Sequence, residues 1–173
     1  MVKKKKNRNI VLLKSIDDLQ NEISYQDFDY KDYFFHICDL IPDQTNERLK
    51  IETINKHNIN KEGLVYVFVI NDKIFKIGHT INSIKERVSS YNCGKTEHRI
   101  SGTNSTTNYF VLQSFLKINQ KINVYAFFPE NPKYILFNID YQDGRPPSKT
   151  AENKILQDFI IKHKKKPIGC TQT

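Results

Sequence analysis

The chain has no tryptophan, one methionine and only three cysteines among its 173 residues. Cys38, Cys93 and Cys170 are far apart and odd in number, which excludes closely spaced zinc or redox pairs and disfavours a disulfide framework. No apolar run approaches the roughly 18 residues that a membrane-spanning helix needs. The lysine-rich start, Met1 to Arg8, is not followed by a signal-peptide core. We therefore expect a cytoplasmic protein with reduced thiols and no membrane partner.

Positive charge is in excess. The chain carries 27 Lys and Arg residues against 19 Asp and Glu residues, which gives a net charge of +8 and an isoelectric point near 9.3. Clustered cations gain free energy by releasing counterions from phosphates, so a polyanionic partner is favoured, although solubility alone also explains such a charge. With 38% hydrophobic residues, the length suits one compact domain or one domain with an arm.

The first third of the chain mixes acidic and aromatic residues. Between Ile10 and Asn60 the pattern predicts helices of mixed charge. Residues 1–60 are therefore expected to form a helical N-terminal arm beside a core of residues 61–173. Three roles stay open for this arm: packing on a partner subunit, clasping nucleic acid, or capping the core.

After Gly63 the pattern changes to that of a β-hairpin. Leu64 to Ile70 and Ile74 to Ile77 are rich in β-branched and aromatic residues and flank a polar turn. Tyr66 and Lys76 point to opposite faces if the loop has two residues, but share a face if it has three or if a strand has a bulge. A cross-strand aromatic and a solvent-reaching lysine are the ordinary alternatives.

The residues after the hairpin are candidates for a functional site. Gly78 permits a close backbone approach, and His79 follows it at a strand end, where functional side chains often emerge. A helix is expected to begin near Ser83, whose spacing to Glu86 fits a capping box. Arg87 lies beside the apolar stripe of that helix, and either forms a surface ion pair or presents a planar donor to a phosphate.

Two more helices and one more strand are expected in the rest of the chain. A helix passes through Tyr109 to Leu116, a strand covers Ile122 to Phe128, and an insertion near residues 130–147 contains a possible extra hairpin. Ser148 is then the expected N-cap of the last helix.

Glu152 extends the apolar face of the last helix, formed by Ile155 and Phe159, into its first turn. A first-turn glutamate also interacts favourably with the helix dipole. That interaction requires no inward direction, whereas a hard cation such as Mg²⁺ requires an oxygen ligand at the floor of a cleft. Glu152 is therefore a candidate metal ligand.

Together these residues resemble the GIY-YIG nuclease superfamily, and within it the small type II restriction endonucleases. Residues 63–66 stand at the first half of the family signature. Residues 76–78 stand at the second half, with Lys76 replacing the usual tyrosine, as in a restriction-enzyme branch of the family. Arg87 stands at the family's helix arginine and Glu152 at its metal-binding glutamate. A downstream asparagine that many members contain is missing from this chain.

The resemblance implies an α+β fold, with a small three-stranded antiparallel sheet flanked by helices and the helical N-terminal arm attached to it. It implies a site-specific DNA endonuclease that hydrolyses phosphodiesters with one Mg²⁺ per active site. The implied catalytic residues are Tyr66 as the proton acceptor, Lys76, His79, Arg87 as the stabiliser of phosphoryl charge, and Glu152 as the metal ligand.

The resemblance also implies partners: double-stranded DNA, a second copy in a homodimer, and a companion methyltransferase that protects the DNA of a bacterial host. Weaker candidates for DNA contact are polar loop residues outside the core, namely Lys95, His98, Arg99, Ser105, Thr106, Gln142 and Arg145. Three alternatives remain: a homing, repair or mobile-element nuclease of the superfamily, a non-catalytic DNA-binding module of the same fold, and a structural interaction protein that uses the acidic aromatic arm.

Overall fold

The computed structural model describes residues 10–102 and 105–171, so the lysine-rich start lies outside the described residues. Over those ranges the regular elements are β1 (Phe35–Asp43), β2 (Arg48–Thr53), β3 (Leu64–Ile70), β4 (Lys73–Thr80), α1 (Ile84–Asn92), α2 (Thr96–Ile100), α3 (Thr106–Ile118), β5 (Ile122–Phe127), β6 (Lys133–Leu136), β7 (Ile139–Gln142) and α4 (Ser148–His163). Short 3₁₀ turns occupy Ile16–Leu19, Tyr25–Asp27, Lys31–Tyr33, Asn58–Asn60 and Ile168–Cys170.

Five strands form an antiparallel sheet in the order β2-β1-β5-β3-β4, and β6 and β7 form a separate hairpin. Helices α1 and α3 pack on one face of the sheet, and α4 packs on the other face with aromatic residues of the N-terminal segment. Every residue of β3 is buried, which explains its continuous apolar sequence. Strand β4 lies at the edge of the sheet. In the described part of the chain, no helix is long and apolar enough to cross a membrane.

The α+β class is confirmed, but the prediction of a three-stranded sheet with a helical N-terminal arm is wrong. Residues 35–53 form β1 and β2, which enlarge the sheet to five strands. Strand β1 is extended because it pairs with β5, with His36 opposite Tyr125 and Leu40 opposite Ile122. Because strand propensity depends on tertiary neighbours, the local mixture of acids and aromatics suggested helices instead. The division of the chain at residue 60 stays a prediction.

The β3–β4 hairpin has a two-residue turn and a bulge. Asn71 and Asp72 occupy the turn with φ of 45° and 63°, a left-handed conformation that Asn and Asp tolerate better than most residues. The register shifts between Phe68 and the next residue, so that Phe68 is opposite Lys76 and Tyr66 is opposite Gly78. The bulge therefore places Tyr66, Lys76 and Gly78 on one face of the sheet.

The start of α4 is fixed against the ends of β3 and β4. Pro147 is the N-cap, so Ser148 is the first helical residue rather than the expected cap. The Ser148 hydroxyl donates to the Thr80 carbonyl oxygen over 3.3 Å. Gly63 has a φ of +71°, and a Cβ there would lie 2.3 Å from the Pro146 ring. These contacts place the first turn of α4 beside the end of β4.

Candidate active site

Two tyrosines and an arginine form a hydrogen-bonded cluster between β3 and α1. The hydroxyl oxygens of Tyr66 and Tyr91 lie 2.7 Å apart. Arg87 donates from Nε to the Tyr66 oxygen and from its terminal nitrogen to the Tyr91 oxygen, both over 3.2 Å. Its guanidinium also lies 4.4 Å from the centre of the Tyr91 ring. The predicted pair of Tyr66 and Arg87 is thus in direct contact.

Burial and charge fix the protonation of Tyr91 and Arg87. Burial raises the pKa of Tyr91 well above its ordinary value, and the neighbouring Tyr66 phenol raises it further. Burial alone would lower the pKa of Arg87, but its interactions with Tyr66 and Tyr91 outweigh burial and raise that pKa. Tyr91 therefore remains a neutral donor and Arg87 remains a cation.

Gly78 is the strand residue that the Tyr66 side chain crosses. A Cβ at Gly78 would lie 2.5 Å from the Tyr66 hydroxyl oxygen, closer than any real side chain permits. Since β4 is the edge strand, the missing side chain lets the phenol oxygen approach the rim of the sheet. Glycine at this position is therefore required by the conformation of Tyr66.

His79 and Glu152 form the second half of the site on the α4 side of the sheet. His79 Nδ1 lies 2.6 Å from Glu152 Oε2, and the two side chains are 26% and 17% exposed. An ionised carboxylate only accepts hydrogen bonds, so Nδ1 carries the proton in this pair. Among the described residues, none forms a hydrogen bond to the other oxygen, Oε1. That oxygen is available to a ligand.

A cleft of about 410 Å³ is lined by one residue from each half of the site. His79 from β4 and Arg87 from α1 both line it, together with Asn82 and Ser90. Gly78 lies next to His79 in β4 and under Tyr66. Four of the five predicted catalytic residues thus surround one end of β4.

Lys76 does not line the cleft and instead contacts the C-terminal segment. Its side chain is 8% exposed, and its ammonium donates to the Gly169 carbonyl oxygen over 2.7 Å. Lys76 lies on the same sheet face as Tyr66, two residues before Gly78. In this structure its ammonium binds the C-terminal segment.

The weaker DNA-contact candidates fall into two groups. Lys95 precedes α2, His98 and Arg99 lie within it, and the Ser105 hydroxyl accepts a hydrogen bond from the Asn108 backbone nitrogen over 3.1 Å as the N-cap of α3. Thr106 begins α3. Gln142 ends β7, and Arg145 is exposed in the following loop. Their contacts with DNA stay a prediction.

Tyr91 is the site residue that sequence reasoning missed, because a tyrosine at a buried helix position is ordinarily part of the core. The available signal was its position four residues after Arg87, which places the two side chains on neighbouring turns of one helix. Gly169 was also missed. No local pattern indicates that a backbone carbonyl 93 residues away contacts Lys76.

The site fits a magnesium ion better than a metal held wholly by protein ligands. Within residues 10–102 and 105–171, no group of three or more His, Cys, Asp and Glu side chains is placed to hold a metal. Mg²⁺ keeps several waters and is often bound by one or two carboxylates together with substrate phosphates. Glu152, with Oε1 available and its orientation fixed by His79, satisfies that requirement.

Comparison with known proteins gives two informative similarities. No protein-family model and no curated protein matches the chain. A solved structure of a bacteriophage T4 EndoII mutant has 21% sequence identity and a TM-score of 0.56, covering 75% of this chain and 91% of that chain, which shows similarity of fold.

The other similarity extends over the full chain. The structure of restriction endonuclease HPY188I in complex with product DNA has 60% identity to this chain and a TM-score of 0.73, covering 100% of this chain and 98% of that chain. The prediction of a restriction endonuclease is thereby confirmed. The chain belongs to the family of the restriction endonuclease HPY188I.

Proposed function

We propose that the protein is a type II restriction endonuclease of the GIY-YIG superfamily that makes magnesium-dependent, sequence-specific double-strand cuts in DNA. One observation carries this proposal: Arg87, the hydrogen-bond partner of Tyr66, and His79, the partner of Glu152, line one cleft at the end of β4. The complex of HPY188I with product DNA supports DNA as the substrate.

Tyr66 and Arg87 carry the proton transfer and the charge stabilisation. A water molecule attacks phosphorus in line with the 3′ oxygen, and its proton passes to the deprotonated oxygen of Tyr66. The donors on Tyr91 and Arg87 stabilise that oxygen while it is anionic. Arg87 also balances the negative charge that grows on the phosphoryl oxygens. The bond between phosphorus and the 3′ oxygen breaks, and that oxygen takes a proton from solvent.

Glu152 and His79 form the metal-binding side of the cleft. Glu152 would hold one Mg²⁺ per active site, and the bound ion would supply charge stabilisation at the phosphate and the leaving oxygen. His79 donates Nδ1–H to Oε2 and so fixes the carboxylate. Lys76 contributes positive charge that helps to orient the water or to relay its proton.

Double-strand cleavage at a symmetric site requires two active centres, so we infer a homodimer whose two-fold axis matches that of the DNA. Residues 1–60 are proposed to pack on the second subunit or to clasp DNA. Base and phosphate contacts are proposed for the polar residues around α2 and after β7. A companion methyltransferase protects the host's sites in the bacterial cytoplasm where the enzyme acts.

The test is digestion of plasmid and phage DNA by the purified full chain with magnesium or with EDTA, followed by sequencing of the cut ends. Discrete magnesium-dependent fragments that end at one short symmetric sequence are expected. Glu152→Ala should abolish them. Asp158→Asn is the matched control, because Asp158 is also a carboxylate of α4 but pairs with Lys154 and Tyr30. DNA binding without cleavage by the unmodified protein would contradict the proposal.

A further inference from the structure

The C-terminal strap, residues 165–170, lies along the outer edge of β4 beside the predicted catalytic residues. Its Gly169 carbonyl accepts the hydrogen bond from the Lys76 ammonium over 2.7 Å. The next residue, Cys170, donates its thiol to the Ile77 carbonyl oxygen over 3.1 Å. The strap therefore contacts two consecutive residues of β4 just before Gly78.

Gly169 permits this approach because it lacks a side chain. A Cβ at Gly169 would lie 2.8 Å from the Phe75 carbonyl oxygen and 2.9 Å from the Lys76 Cβ. Backbone oxygen and strand Cβ atoms cannot move aside as the end of a flexible side chain can. A larger residue would displace the strap from the bulge of β4, and with it the carbonyl that holds Lys76.

A buried carboxylate from the other end of the chain anchors the strap. Glu22 is 9% exposed. Its Oε1 accepts from the Lys165 ammonium over 2.8 Å, and its Oε2 accepts from the Ile168 backbone nitrogen over 3.3 Å. Lys165 donates in addition to the Asn21 carbonyl oxygen over 2.8 Å. A buried carboxylate is costly unless such donors are present, and here both donors belong to the strap.

We propose that Glu22 is a positioning residue for DNA cleavage, acting through the strap and its Gly169 carbonyl to fix the position of the Lys76 ammonium. This inference rests on the proposed role of Lys76 in cleavage. A lysine has a long flexible stem, and a misplaced catalytic group lowers the rate far more than it lowers substrate binding.

The test is a double-mutant cycle on the full chain, measured as single-turnover cleavage with enzyme in excess and as DNA affinity in EDTA. Glu22→Gln keeps the shape of the side chain and removes its charge. We expect it to lower the cleavage rate about 10-fold with unchanged DNA affinity, and to cause no further loss in the Lys76→Met background, because coupled residues are not additive.

Asp39→Asn is the matched control. Asp39 is also a buried carboxylate, 6% exposed, but it binds His36, Asn123 and Lys121 on the far strands of the sheet. Asp39→Asn should change the cleavage rate by the same factor whether residue 76 is lysine or methionine. Gly169→Ala supplies an independent variant, which should match Glu22→Gln in both its loss of rate and its dependence on Lys76.

Three outcomes would overturn the inference. Glu22→Gln could cleave at the unmodified rate, it could lower the rate equally in the Lys76 and Lys76→Met backgrounds, or it could weaken DNA binding as much as cleavage. Full activity of Lys76→Met itself would instead remove the proposed role of Lys76. Lys165→Met, which removes a donor to Glu22 and leaves the carboxylate in place, provides the same comparison if Glu22→Gln does not fold.

Discussion

The Tyr66 hydroxyl on β3 and the Tyr91 hydroxyl on α1 form a 2.7 Å hydrogen bond inside the protein, with Arg87 donating to both. Burial raises the pKa of Tyr91 well above its ordinary value, so Tyr91 stays a donor. Tyr66 is adjacent to Gly78 at the edge strand. In the proposed mechanism Tyr66 accepts the proton of the attacking water, and Tyr91 donates a hydrogen bond to the Tyr66 oxygen.

Tyr66→Phe should abolish cleavage and leave DNA binding largely intact, because it removes the proton acceptor but keeps the ring that fills the core. Tyr91→Phe, which removes the other hydroxyl of the pair, should slow cleavage by about 10- to 100-fold, consistent with loss of one donor to a charged oxygen. Each variant should lose about 1–3 kcal/mol of unfolding free energy, since a buried partner becomes unsatisfied.

Single-turnover rates, DNA affinity and urea denaturation measured on the same preparations check this prediction. Cleavage by Tyr66→Phe at a rate equal to that of Tyr91→Phe would assign the proton acceptor to another group.

Gly78→Ala should abolish cleavage and lower the unfolding free energy by about 1–3 kcal/mol, because the added methyl overpacks against Tyr66. Its Cβ would lie 2.5 Å from the phenol oxygen, whereas a Cβ at Gly144 would meet no atom within 4 Å. Gly144→Ala is therefore the control, with stability and cleavage expected to be near those of the unmodified protein. Thermal unfolding and cleavage assays of both variants check this. Equal behaviour of the two would contradict the close approach of Tyr66 to Gly78.

Short-range sequence patterns predicted much of the structure of β3, β4, α1 and α4. The capping box of Ser83 and Glu86 marks the start of α1 as expected. Glu152 lies one residue past the first turn of α4 rather than in it, because the helix already begins at Ser148. The Asn-Asp turn and the bulge place Tyr66 and Lys76 on one face. In each case the determining residues lie within a few positions of one another, so that sequence spacing contains the information.

Contacts between distant residues were not predictable in this way. Strand β1 is extended because it pairs with β5. Asp39 is buried within β1 because Asn123 and Lys121, 84 and 82 residues away, supply donors to its carboxylate. The contact of Lys76 with Gly169 spans 93 residues. Neither spacing nor propensity indicates such pairs, because they exist only after the sheet has formed.

Asp39 should make stability fall on acidification. Burial works to raise the pKa of its carboxyl, but hydrogen bonds from Asn123, His36 and Lys121 outweigh burial and hold this pKa below the ordinary value. The folded state then binds fewer protons than the unfolded state. The stabilisation is present above the unfolded pKa of about 3.9 and is lost as the pH falls through the folded pKa.

The measurement is the unfolding free energy from urea denaturation at about pH 5 and about pH 3, on either side of the unfolded value. The difference in stability between the unmodified protein and Asp39→Asn should be smaller at the lower pH. Asp140→Asn, at an exposed position of β7, serves as the control. A stability difference that is larger at the lower pH would show that folding raises the pKa of Asp39 rather than lowering it.

His79 should control the affinity for magnesium rather than the ability to cleave. His79→Asn removes the ring nitrogen that lies 2.6 Å from Glu152 Oε2, so the carboxylate loses its fixed orientation while Oε1 remains. Loss of such an outer partner typically costs about 10- to 100-fold in metal affinity. The magnesium concentration for half-maximal single-turnover cleavage should rise by that factor, with the rate restored at saturation. Glu152→Ala should show no recovery at any magnesium concentration, because the ligand itself is gone. If His79→Asn instead has an unchanged magnesium requirement and a lower saturated rate, His79 acts on the phosphate or the attacking water.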